Sequence, residues 1–146
     1  VMRAALVVLM LFVAGPVVAK TPAKPQWSLF QSGADVVSAA RSQIGNGAVY
    51  GRRNLWCARF MNYVLEKTGH RGTGSDLARS FASMPRTDMR VGAIAVMSRG
   101  RRGGHVGVVS GVSASGDPIV ISGNNGGRVR ESVYPRRRVL AFVVPQ

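Results

Sequence analysis

The chain has 146 residues, a formal net charge of +14 from 20 Lys and Arg against 6 Asp and Glu, and a single cysteine. That length suits one domain. It excludes an intramolecular disulfide framework, and the supply of Val, Ile, Leu and aromatics argues against a disordered basic tail.

Residues Val1–Ala19 are apolar apart from Arg3, Gly15 and Pro16. Arg3 forms a positive n-region and Ala4–Ala14 an apolar h-region. Gly15-Pro16 then breaks a helix, and Val17-Val18-Ala19 sets small residues before a cleavage point at Lys20. The stretch is short for a membrane span, which needs about 20 apolar residues. Residues 1–19 therefore read as a signal peptide and the protein as exported, to the periplasm or outer cell envelope, with membrane contact only through this segment. An uncleaved anchor is the alternative. Lys20–Gln31 carries Pro22 and Pro25 and reads as a loose arm, so the expected division is 1–19 signal, 20–33 arm or linker and 34–146 catalytic domain.

Ser32 can cap a helix over Ala34–Ile44, with Val36, Val37, Ala40 and Ile44 on one face and Gly45 as its stop. A second helix is predicted over Leu55–Thr68, capped by Asn54; Trp56, Phe60 and Val64 run at i, i+4, i+8 along its apolar face. A third runs from Ser75 to about Met84 and ends at Pro85. The period then shortens. Ala93–Met97, His105–Val112, Pro118–Ser122, Val129–Tyr134 and Val139–Val144 are Val- and Ile-rich runs punctuated by glycine and serine. Helices followed by strands describe an α+β domain with N-terminal helices packed on a small antiparallel sheet.

The lone cysteine of an exported chain is a free thiol, an intermolecular bridge or a reactive group. Cys57 falls in the first turn of the second predicted helix, where the dipole and free N–H groups favour a thiolate and offer donors to an oxyanion. His105 opens a predicted strand after Gly103-Gly104, placed to act as base toward Cys57. Asn124, just past the next strand, can hold the outer ring nitrogen, with Asn125 as the fallback. Each piece alone also has a bland reading: a small buried hydrophobe, a turn histidine, ordinary Asn-Gly turn chemistry. Their conjunction favours a Cys-His-Asn triad. His70 competes for the base, but the far end of the helix lies roughly 20 Å from Cys57 at 1.5 Å rise per residue. One cysteine and two distant histidines make a zinc site improbable, and no cofactor is expected.

Trp56-Cys57-Ala58-Arg59-Phe60, Gly104-His105-Val106-Gly107-Val108-Val109 and Gly123-Asn124 resemble the signature of CHAP-type cell-wall hydrolases, the cysteine- and histidine-dependent amidohydrolases/peptidases related to NlpC-type endopeptidases and, more distantly, to papain. The likeness runs from about Ala34 to Pro145 and includes Gly72–Ser80 (GTGSDLARS). It implies a papain-like fold and hydrolysis of a peptidoglycan amide through an S-acyl enzyme, with Cys57 matching the nucleophile, His105 the base and Asn124 the orienting residue. Many relatives carry Pro-Gly-Asp before the first long strand, where this chain has Val91-Gly92-Ala93. No upstream glutamine supplies an oxyanion donor, which leaves the Cys57 N–H and Asn54.

Arginines cluster at Arg52-Arg53, Arg99 to Arg102, Arg128 to Arg130 and Arg136 to Arg138. The first two groups flank the expected site, so Arg53 and Arg102, with Asn54 and Trp56, are candidate substrate contacts. A cationic rim suits peptidoglycan or another anionic polymer. The export signal, and the absence of aromatics interleaved with the basic groups, speak against nucleic acid. A monomeric peptidoglycan hydrolase is expected. The alternatives are a catalytically silent cationic wall- or polyanion-binding module on the same fold, and a secreted enzyme acting on a non-wall amide.

Overall fold

The computed structural model describes residues 26–47, 49–51, 54–101 and 103–146, with side chains from Ser32 onward. The expected signal segment, Arg52, Arg53 and Arg102 lie outside the described residues. Helix α1 spans Gln26–Arg41 and α2 Cys57–Lys67. Five strands follow: β1 Ile94–Ser98, β2 Gly104–Val112, β3 Pro118–Asn125, β4 Arg128–Val133 and β5 Val139–Val143. They form one antiparallel sheet in the order β4-β3-β2-β1-β5. This is the expected α+β architecture of helices packed on a small antiparallel sheet.

The strands match the predicted runs within a few residues, and the helices depart more. α1 begins at Gln26, so part of the expected loose arm is helical and the expected boundary at residue 34 falls inside the helix. Pro25 is the last proline before it, and nothing later in the segment stops a helix. α2 begins two residues later than predicted; Trp56, not Asn54, holds the capping position and makes no side-chain cap bond. The third predicted helix is a 3₁₀ segment over Ala78–Ser83.

α2 shows why this sequence packs as it does. Cys57, Ala58, Phe60, Met61, Val64 and Leu65 are its buried residues, spaced i, i+1, i+3, i+4, i+7 and i+8 along one stripe. That stripe, with Val36 and Ala40 of α1 and Phe81 of the 3₁₀ segment, covers Ile94, Val96, Val106, Val108 and Ile121 on one face of the sheet. Burying each large aliphatic or aromatic side chain contributes roughly 1.5–3 kcal/mol. The other face carries a smaller cluster of Ala95, Met97, Val109, Val120, Tyr134 and Phe142.

Two close approaches set the distance of the helices from the sheet. A Cβ at Gly123 in β3 would lie 2.6 Å from the Phe60 Cβ and 2.7 Å from the Trp56 ring, so only glycine lets α2 sit this near. Gly92, in the turn before β1, has φ +86° and packs directly on the Gly33 backbone of α1. The glycine is required here by its backbone and by α1.

Candidate active site

Cys57 is the first residue of α2 and His105 the second of β2. α2 packs against β2, and the backbone N–H of Val106, next to His105 in β2, reaches the Cys57 sulfur. The thiol is 2 % exposed. Backbone N–H groups of Val106, Ala58 and Cys57 itself point at its sulfur, so the sulfur meets β2 one residue from His105. The helix-end donors anticipated from the sequence are therefore in place. Their effect on the thiol is outweighed: burial pushes the Cys57 thiol above its ordinary value, against the opposing pull of Arg99 and these N–H groups. The expected low-pKa thiolate is corrected accordingly. At neutral pH the resting group is a thiol.

His105 is 1 % exposed. Paired with Met97 across β1, its ring leaves the strand on the face that carries Tyr134. Nε2 shares hydrogen bonds with Ser122 Oγ at 2.9 Å and Tyr134 OH at 3.2 Å, and the two hydroxyls lie 3.3 Å apart. Nδ1 is buried and has no hydrogen-bond partner among the described residues, the Cys57 sulfur included. Burial first, then the charges of Arg99 and Arg138, hold the ring's pKa down to about 3. The imidazole is neutral at ordinary pH, and its Nδ1 is left unbonded.

Asn124, the expected orienting residue, makes no hydrogen bond to the ring: Nε2 is held by Ser122 and Tyr134, and Nδ1 has no partner among the described residues. The register of β3 on β4 shifts between Ser122 and Asn125, and Asn124 takes φ +53°. In an unbroken strand, Ser122 and Asn124 would share a face. The bulge breaks that alternation and presents the Asn124 carbonyl to Arg99 Nη2 at 3.1 Å. Asn125 donates to Ser132 Oγ at 2.9 Å instead. Sequence reasoning missed Ser122 and Tyr134; the available signal was a serine inside an apolar run and a tyrosine at the next strand's end.

Of the other candidates, Trp56 is wholly buried and stacked on Tyr50 at 5.3 Å, so it supports the wall of α2 and has no surface to offer a substrate. Asn54 is exposed, beside Leu55 with its φ of +54°. His70 lies beyond the opposite end of α2 from Cys57. No group of three His, Cys, Asp or Glu is close enough to hold a metal among the described residues.

A buried thiol at a helix N-terminus, beside a strand that carries a hydroxyl-anchored imidazole, is a layout for nucleophilic acyl chemistry. The family model of the CHAP domain matches residues 45–125, more than half of the chain and the whole stretch from the loop before Cys57 to the end of β3. The chain belongs to the CHAP family. CHAP domains form an amidase/peptidase family with a papain-like fold, and the buried Cys57 and the His105 hydrogen-bond network of this CHAP domain are consistent with a triad. No curated protein matches the chain.

Proposed function

We propose that this CHAP domain is an exported cysteine hydrolase that cleaves an amide or peptide bond of peptidoglycan, with Cys57 as nucleophile and His105 as base. The observation that carries the reading is the division of labour on the His105 ring: Nε2 is held by Ser122 and Tyr134, while Nδ1 is buried and unbonded next to the strand position that meets the Cys57 sulfur.

The chemistry follows from a neutral starting pair. With a substrate carbonyl against the sulfur, Nδ1 takes the S–H proton as sulfur bonds to carbon, and the carbonyl oxygen gains the negative charge. N–H groups at the start of α2 are the donors closest to that charge. Collapse breaks the C–N bond, the imidazolium returns its proton to the departing amine, and a thioester remains on Cys57. Water, deprotonated by the same Nδ1, releases the acid and restores the thiol. Ser122 and Tyr134 act as positioning residues, accepting from Nε2–H so that Nδ1 keeps its lone pair. This is the part first assigned to Asn124.

Export rests on the Val1–Ala19 pattern. An anionic wall polymer as partner rests on the net charge of +14 and the arginine groups around the site. The test is digestion of purified peptidoglycan with mass spectrometry of the released fragments, which names the bond cut. New amino and carboxyl termini in equal number support the hydrolase. Binding to the wall without any release favours the silent module instead.

A further inference from the structure

Beside the Cys57–His105 pair lies a cleft of about 500 Å³ lined by Leu55, Ser98, Arg99, Gly100 and Arg138. Leu55 stands two residues before the nucleophile, and the Arg99 charge is felt by both Cys57 and His105. Both guanidinium groups are tied to backbone carbonyls. Arg99 Nη2 donates to Asn124 O, and Arg138 Nε and Nη2 donate to Ser98 O at 3.4 and 3.2 Å. Arg138 also lies over the Tyr134 ring at 5.5 Å. Neither arginine pairs with a carboxylate among the described residues, whereas Arg41 and Arg59 each do. Two half-buried guanidinium groups, fixed in place and with N–H donors to spare, make a site that an anion completes.

We propose that Arg99 and Arg138 form a subsite for a carboxylate carried by the peptide substrate, and that filling this subsite readies His105 for its proton transfer. The proposal rests on the proposed function, for the peptide that carries the carboxylate and for the role of His105. Among the described residues, the charged groups that bear on His105 are Arg99 and Arg138, with Tyr134 and Cys57 as the titratable neighbours. Arg99 favours the Cys57 thiolate and disfavours the imidazolium, so neutralising it acts on the two groups in opposite senses. The Arg138 charge bears on His105, so an anion paired with Arg138 eases formation of the imidazolium and favours the thiolate–imidazolium pair. Burial holds the resting pair neutral, and a substrate carboxylate in the cleft removes the part of that restraint which the Arg138 charge adds on His105.

The experiment uses a synthetic peptidoglycan stem tetrapeptide with free carboxylates and its fully amidated counterpart, bound to the full-length Cys57→Ala protein and followed by calorimetry and by NMR of the His105 ring. The free acid is expected to bind about tenfold more tightly than the amide, an effect typical of a charge-assisted pair. The difference is expected to shrink to within about twofold when Arg138→Gln or Arg99→Gln is added. The His105 ring is expected to titrate at higher pH with the acid bound than with the amide bound. Equal binding of acid and amide by the arginine-intact protein, or a preference that survives both arginine substitutions, overturns the subsite; so does a ring titration unmoved by the acid. Turnover of peptidoglycan by the wild-type protein is read in parallel. Its absence defeats the hydrolase reading, while the binding comparison still decides the subsite by itself.

Discussion

The outer nitrogen of His105 is held by a serine: Nε2 lies 2.9 Å from Ser122 Oγ, with the Tyr134 hydroxyl 3.2 Å away closing a three-membered polar cluster on the far side of the ring. Two hydroxyls here stand where the Asn124 amide was expected. They can accept from Nε2–H, but they carry no charge to stabilise an imidazolium. Removing one leaves the other, so Ser122→Ala and Tyr134→Phe are each expected to lower kcat/KM by roughly threefold to tenfold. The double variant should lose about a hundredfold, the scale of general-base catalysis. Steady-state kinetics on a released fragment would check this, with the acid limb of the kcat profile as the readout that a merely structural loss would leave in place.

Asn124 offers the complementary case. Its φ of +53° suits glycine, and its contact with Arg99 is made through the backbone carbonyl. Asn124→Gly is therefore expected to keep kcat/KM within about twofold of wild type. A drop of several hundredfold would instead mean that the amide holds the ring during turnover.

The burial of His105 makes stability depend on pH. Its folded pKa of about 3 lies below the ordinary value of 6.5, so the unfolded chain binds the extra proton first. This contribution is fully present above pH 6.5 and is lost as pH falls from there toward 3, by up to a few kcal/mol, on the order of 4. Urea denaturation across that range should show stability falling with acid, and His105→Gln should flatten the slope. The Cys57 thiol, raised by the same burial, should alkylate faster as pH climbs past the ordinary thiol range, with no reactive plateau at neutral pH in the free protein.

Gly123 links the fold to the site. A methyl group there meets Phe60 and Trp56 inside 3 Å and pushes α2, with Cys57 at its tip, away from β3. Gly123→Ala is expected to lower stability by about 1–3 kcal/mol, as overpacking does. Thermal unfolding, paired with the activity of the residual folded protein, separates lost fold from a displaced nucleophile.

Much of this was legible in the residues. Glycine and serine between Val-rich runs marked all five strands, and the i, i+4, i+8 spacing of Trp56, Phe60 and Val64 marked the helix that carries Cys57. Cys57 and His105 could be singled out because an N-terminal segment that reads as a signal peptide, a lone thiol and a glycine-flanked histidine converge. What could not be read was anything decided by tertiary register. The bulge between Ser122 and Asn125 turns Asn124 off the ring, and the pairing of β3 with β4 brings Tyr134 to it. The thiol's state was not legible for a related reason: helix-end N–H groups are a local feature, while burial in the core is a global one, and here burial dominates. The cleft arginines, Arg99 and Arg138, stand far apart in sequence and meet only across the sheet's β1–β5 side.

The most direct measurement is the clearing of purified peptidoglycan by wild-type protein and by Cys57→Ala at matched concentration, each checked for folding by circular dichroism. Wild type should release soluble fragments with new amino termini, and the Cys57→Ala protein should release none above background while still binding the wall. Equal clearing by the two proteins would contradict Cys57 as the nucleophile.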